Sequence, residues 1–171
     1  MSKPIHKWRF FRAGDFEQPL LRHAADLAAL RQLDQKLWAT LACPTDRLNI
    51  SHKFLQLMDE NGDGRIRAPE VLNAIDWTLA RLNDPDCLFS QRPLTLADFK
   101  DGEDSHGLVL AARRLLELLG RSEDDSLTAD DTADPSVTKI DEKRGLSGYR
   151  LVLKVTTKLR PVAGISSTEA R

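Results

Sequence analysis

The chain has little of what builds the more conspicuous kinds of site. It carries only two cysteines, Cys43 and Cys87, and four histidines, His6, His23, His52 and His106. Two cysteines this far apart make neither a zinc knuckle nor a disulfide framework, and they agree with a reducing compartment; both are expected as small buried hydrophobes. The histidines show neither metal-ligand nor triad spacing. No apolar run approaches the length of a membrane span, and the N-terminal MSKPIHKWRFFRAGDF, though basic, lacks a signal-peptide core. The expected address is therefore cytoplasmic, with no membrane span. There is also no glycine-rich phosphate cradle and no nucleophile beside a base, so no enzyme is expected.

What is present is an ordinary globular composition, with 41% hydrophobic and 30% charged residues in 171. That suits one domain with appendages. The net charge of −1 says less than its distribution. The first two dozen residues and the stretch after about Thr138 lean basic, whereas Asp98 to Asp134 leans acidic. Trp8, Phe10 and Phe11, interleaved with Lys7, Arg9 and Arg12, suit a terminus pinned onto a core better than a nucleic-acid face, which needs a wider basic patch.

Apolar periodicity predicts a long amphipathic helix from about Leu20 or His23 to Ala42, through Leu27, Leu30, Leu37, Trp38 and Leu41, stopped by Pro44. A short helix from His52 to Met58 follows, then one from Glu70 to about Leu82 with Leu72, Ile75, Leu79 and Leu82 as its inner stripe. Asn83 to Asp104 reads as a connector with one turn around Leu96 to Phe99. A last helix, from about His106 to Leu119, is capped by Asp104 or Ser105 and closed by Gly120. Asp101, Glu103 and Ser105 imitate the start of a cation loop, but the twelfth residue on, Ala112, has no oxygen to offer.

Between the second and third helices lies DENGDGRIRAPE, Asp59 to Glu70. A calcium ion needs several hard oxygen ligands on a sharply turned backbone. Asp59, Asn61, Asp63 and Glu70 stand at the first, third, fifth and twelfth positions, with Gly64 at the sixth, where the chain must turn, and Ile66 at the eighth, facing away from the ion. If each required residue type is a roughly 5–10% event, six at fixed spacing match by chance about once in ~10⁵ such chains.

This segment resembles the calcium-binding loop of the EF-hand. The resemblance implies that Asp59, Asn61 and Asp63 ligate calcium by side-chain oxygen, Arg65 by its backbone carbonyl and Glu70 by both carboxylate oxygens, with Arg67 at the water-mediated position. Magnesium is the competing ion. Arg65 and Arg67 offset part of the ligand charge, which places the expected affinity on the order of 10⁻⁶ to 10⁻⁴ M. EF-hands pair at their eighth positions. The internal candidates for the partner of Ile66 are a degenerate loop, Gly120 to Asp131 with Leu127 at its eighth position, and the segment Leu48 to Ile50; a protein partner or a homodimer through hand pairing would serve the same end. Leu20 to about Asp134, with DQKLWATLACP and LTADDTAD flanking the loop, is similar to the N-terminal region of uncharacterised bacterial EF-hand domain-containing proteins. Beyond Pro135 the chain departs from that pattern, having no second acidic loop.

The expected fold is thus mainly α: an arm (1–19), a helical EF-hand domain (20–134) with one competent loop and a degenerate partner, and a basic tail (135–171), strand-like around Tyr149 to Val155 or disordered. The expected function is calcium binding, as sensor or buffer. The alternative is a non-enzymatic scaffold that calcium or magnesium only rigidifies, with nucleic acid not expected as a partner.

Overall fold

A computed structural model of the chain describes residues 6–38, 42–47, 52–90, 92–128 and 130–132. The tail and the Leu48 to Ile50 segment lie outside them.

The arm folds back on itself. Gly14, at φ 60°, takes the left-handed conformation that a two-residue turn needs. It joins β1 (Phe10–Ala13) to β2 (Phe16–Pro19) in an antiparallel hairpin, with Phe11 opposite Gln18 and Ala13 opposite Phe16. Trp8 packs on the core as expected. The phenylalanines do not: Phe10, Phe11 and Phe16 are all exposed.

The long first helix is not formed. α1 (Ala24–Ala29) is short, started by Asp26, whose Oδ2 accepts from the backbone N–H of Arg22 (2.8 Å) and His23 (3.0 Å). A 3-10 turn (Leu30–Gln32) follows, then extended residues Leu33 and Asp34. Asp34 Oδ1 accepts from Lys36 N (3.0 Å), the local bond by which aspartate competes with helix propagation. The end of the expected helix is instead a strand, β3 (Ala42–Pro44), antiparallel to β4 (Arg65–Arg67), with Cys43 opposite Ile66. Among the described residues, four α-helices stand beside two two-stranded antiparallel sheets. The expectation of a mainly α EF-hand fold is overturned, and the domain is a small mixture of helices and sheet. The reason is that turn chemistry at Gly14 and Asp34, together with backbone pairing to β4, outweighs the helical periodicity.

α2 (His52–Met58) leads into the acidic loop, and α3 (Ala68–Arg81) leaves it. α3 packs on two cores. Leu72, Ile75 and Leu79 pack against Leu27, Leu30 and Leu33. Trp77 and the residue just past the helix, Leu82, belong to the larger core of Leu94, Phe99, Leu108, Ala112, Leu115, Leu116 and Leu127. The expected inner stripe is thereby divided, three residues to one side and Leu82 to the other. Each fully buried leucine contributes about 1.5–3 kcal/mol of transfer free energy, so the larger core carries most of the apolar stabilisation.

α4 (Glu103–Leu118) starts earlier than expected, with Gly102 at its N-cap and Ser105 buried inside its first turn. At its far end the N–H of Gly120 (φ 67°) donates to Glu117 O (3.1 Å) and that of Arg121 to Leu116 O (2.9 Å). These are the two bonds of a Schellman stop, with glycine where the left-handed residue must be. Leu127 then bridges Leu94 rather than Ile66, its N–H donating to Leu94 O at 2.7 Å. The degenerate loop is therefore not the partner of the acidic loop. Leu94 and Leu127 both sink into the larger core, which takes in neither Cys43 of β3 nor Ile66 of β4.

Candidate metal centre

The loop between α2 and α3 is curled by two glycines in the left-handed region, Gly62 (φ 70°) and Gly64 (φ 76°). A Cβ on either would meet no atom within 4 Å, so it is the backbone conformation and not crowding that calls for glycine. The curl aims side-chain oxygens at main-chain N–H groups inside the turn. Asp59 Oδ1 and Asn61 Oδ1 both accept from Asp63 N, each at 3.1 Å, and Asp59 Oδ2 accepts from Gly64 N at 2.8 Å. Asp63 Oδ1 accepts from Arg65 N at 3.0 Å. Asp59 and Asn61 are thus held on a common centre, and Asp63 lines the next step of the turn.

Glu70 reaches back from the first turn of α3. Its Oε2 accepts from Arg67 N (2.8 Å), capping the helix, and its Oε1 accepts from Glu60 N (2.9 Å), beside Asp59. The residue is buried although it is an acid. Two backbone donors compensate its desolvation. Ile66, facing away from these oxygens, is buried against β3.

The sheet register sets the direction of Arg65's backbone groups. Thr45 N donates to Gly64 O at 3.1 Å, so Thr45 and Gly64 form a hydrogen-bonded pair. Antiparallel ladders alternate, which makes the adjacent Pro44–Arg65 pair a non-bonded one and turns the N–H and C=O of Arg65 away from β3. The N–H meets Asp63, and the carbonyl faces the same side as the loop.

One expected ligand is engaged elsewhere. Asp63 Oδ2 pairs with the guanidinium of Arg67. That contact, foremost, with the Arg65 N–H adding to it, holds the Asp63 carboxyl below the ordinary aspartate range. Among the described residues, no three His, Cys, Asp or Glu side chains meet as a group able to hold a metal ion. The chemistry of the donors suits a hard cation nonetheless: every side-chain donor is an oxygen, none is sulfur or imidazole, and the bonds they make to N–H groups leave lone pairs over on each carboxylate.

The fold repeats part of this arrangement twice, which sequence reading missed. After the bridging residue Leu94, Thr95 N donates to Asp98 Oδ2 at 2.8 Å, and after the bridging residue Leu127, Thr128 N donates to Asp131 Oδ2 at 2.7 Å. Ile66, Arg67 and Glu70 stand in the same relation. The signal was present as Leu-Thr-x-x-Asp at 94–98 and 127–131. Asp98 is gripped by both Arg92 Nη1 (2.7 Å) and Nη2, and Asp131 by Arg121 Nη1 (2.9 Å) and Nη2 (2.8 Å). The Arg92 guanidinium, followed by Thr95, keeps the Asp98 carboxyl below its ordinary range, and that of Asp131 is also lowered, because Arg121 and Thr128 outweigh a burial that would raise it.

Comparison with protein-family models, with curated proteins and with solved structures finds no match to the chain. No helix of the described residues is long and apolar enough to cross a membrane.

Proposed function

We propose that Asp59 to Glu70 is a calcium-binding loop of the EF-hand kind, and that binding a divalent cation, without catalysis, is what this chain does in the cytoplasm. The observation that carries this is the convergence of Asp59 and Asn61 on Asp63 N inside a backbone curled at Gly62 and Gly64. Asp59, Asn61 and Asp63 supply side-chain oxygens, Arg65 its carbonyl and Glu70 its carboxylate, and magnesium competes for the same donors. Pairing of the loop, which in an EF-hand falls to a second hand, is supplied within the chain by β3.

A second reading has its own support. Glu70 already caps α3 and already bonds Glu60, so a cation need not swing the helix to engage it. Calcium would then rigidify a scaffold and expose no new apolar surface. Calorimetric titration with calcium up to millimolar concentration, on wild type and Glu70→Gln, tests the site; the absence of binding heat in the wild type refutes it. Dye binding to newly exposed apolar surface on calcium addition marks a sensor, whereas a raised melting temperature without it marks the scaffold.

A further inference from the structure

The three equivalent acids are satisfied in two ways. Asp98 and Asp131, whose side chains are each only 10% exposed, accept both arms of an arginine fork. Glu70 meets two backbone N–H groups, and among the described residues no arginine or lysine lies within ion-pairing distance of it. The arginine that follows Ile66 has turned to the fifth loop position instead, pairing with Asp63. At 94–98 and 127–131, then, a guanidinium supplies the positive charge to a nearly buried acid, whereas in the 59–70 loop it rests on an acid that is itself over a third exposed.

We propose that Arg67 is a tethered competitor for the cation: its guanidinium occupies Asp63 Oδ2 and must leave when a cation binds, so that this ion pair lowers the affinity and its rupture returns a positive charge to the surface. This rests on the cation reading above. The physical basis is that the guanidinium and a divalent cation seek the same carboxylate oxygen, and their mutual repulsion forbids both at contact distance. With both partners over a third exposed, the pair is weak enough to be displaced, whereas Asp98 and Asp131 are nearly buried and held by both arms of their arginines. Asn61 moves with it, since its Nδ2 lies 3.4 Å from the same Asp63 oxygen and swings away once the cation takes that place.

The test is calorimetric titration of calcium into the full chain as wild type, Arg67→Gln and Arg65→Gln. Arg65 adjoins the same loop and, among the described residues, makes no ion pair, so Arg65→Gln removes an equal charge without releasing Asp63. Loss of the competitor is expected to tighten calcium roughly three- to tenfold in Arg67→Gln, and clearly less in Arg65→Gln. The helix cap uses the backbone N–H of residue 67, so the Arg67→Gln melting temperature in chelator should match the wild type. Equal tightening by both variants, or none by Arg67→Gln while the wild type binds, overturns the competitor and leaves the cation site standing. Binding heat absent from both wild type and Arg67→Gln removes the site and the competitor together.

Discussion

Glu70→Gln separates what the acid does for the fold from what it would do for a cation. Both carboxylate oxygens accept backbone N–H groups, from Arg67 at 2.8 Å and Glu60 at 2.9 Å, in a buried setting. A glutamine keeps one acceptor and presents an NH₂ to the other donor. One backbone N–H is left unpaired, at a cost of about 1–3 kcal/mol, and the surviving bond loses its charge assistance, about 1 kcal/mol more. The sum of roughly 2–4 kcal/mol should lower the melting midpoint by roughly 5–12 °C in scanning calorimetry with chelator present. Calcium affinity, measured on the same sample, should fall by at least about tenfold if the proposed site is correct, because that site then loses one of its negative charges. A midpoint within about 1 °C of wild type in chelator would refute the structural argument, even if calcium binding were lost.

Leu115→Ala, at a fully buried position of the larger core, should cost about 2–5 kcal/mol by denaturant unfolding, whereas exposed Leu110→Ala should stay within about 0.5 kcal/mol; similar costs for both would mean the core is misplaced. Gly120→Ala should lose about 1 kcal/mol from backbone strain alone, since φ is 67° and an added Cβ meets nothing within 4 Å; no change in the thermal midpoint would count against the Schellman stop. Acid should destabilise the fold in a definite window. The Asp26, Asp98 and Asp131 carboxyls are held below their ordinary range, so their stabilisation is complete above the unfolded-state pKa near ~4 and is lost as pH falls through the lower folded values. Asp98→Asn should flatten the stability–pH slope below about pH 4, and an unchanged slope would exclude Asp98 as a contributor.

The acidic loop was legible from residue spacing because its requirements are local. Asp59, Asn61, Asp63 and Gly64 fall within six consecutive residues, and a backbone turn with side-chain oxygens pointing into it is decided by those residues and their φ angles. The helices flanking it and the stop at Gly120 were legible for the same reason: capping and periodicity act within one or two turns. Periodicity alone failed over 20–42. There Asp34 offers the backbone a competing bond, and Ala42 and Cys43 are drawn into a strand by a partner more than twenty residues away. Which segment pairs with β4 is a contest between stretches far apart in the chain, and no local pattern ranks it. The tertiary structure gave that place to Ala42–Pro44 and sent Leu127 to Leu94, in a core that Ile66 of β4 does not join. The same limit applies to charge: the sequence determined that Arg67 and Asp63 lie near one another in the loop, but only the folded backbone decided that the guanidinium of Arg67 rests on Asp63 while Arg92 and Arg121 close on Asp98 and Asp131. Arginine side chains reach across turns, and where each fork lands depends on which acid the fold brings within its span.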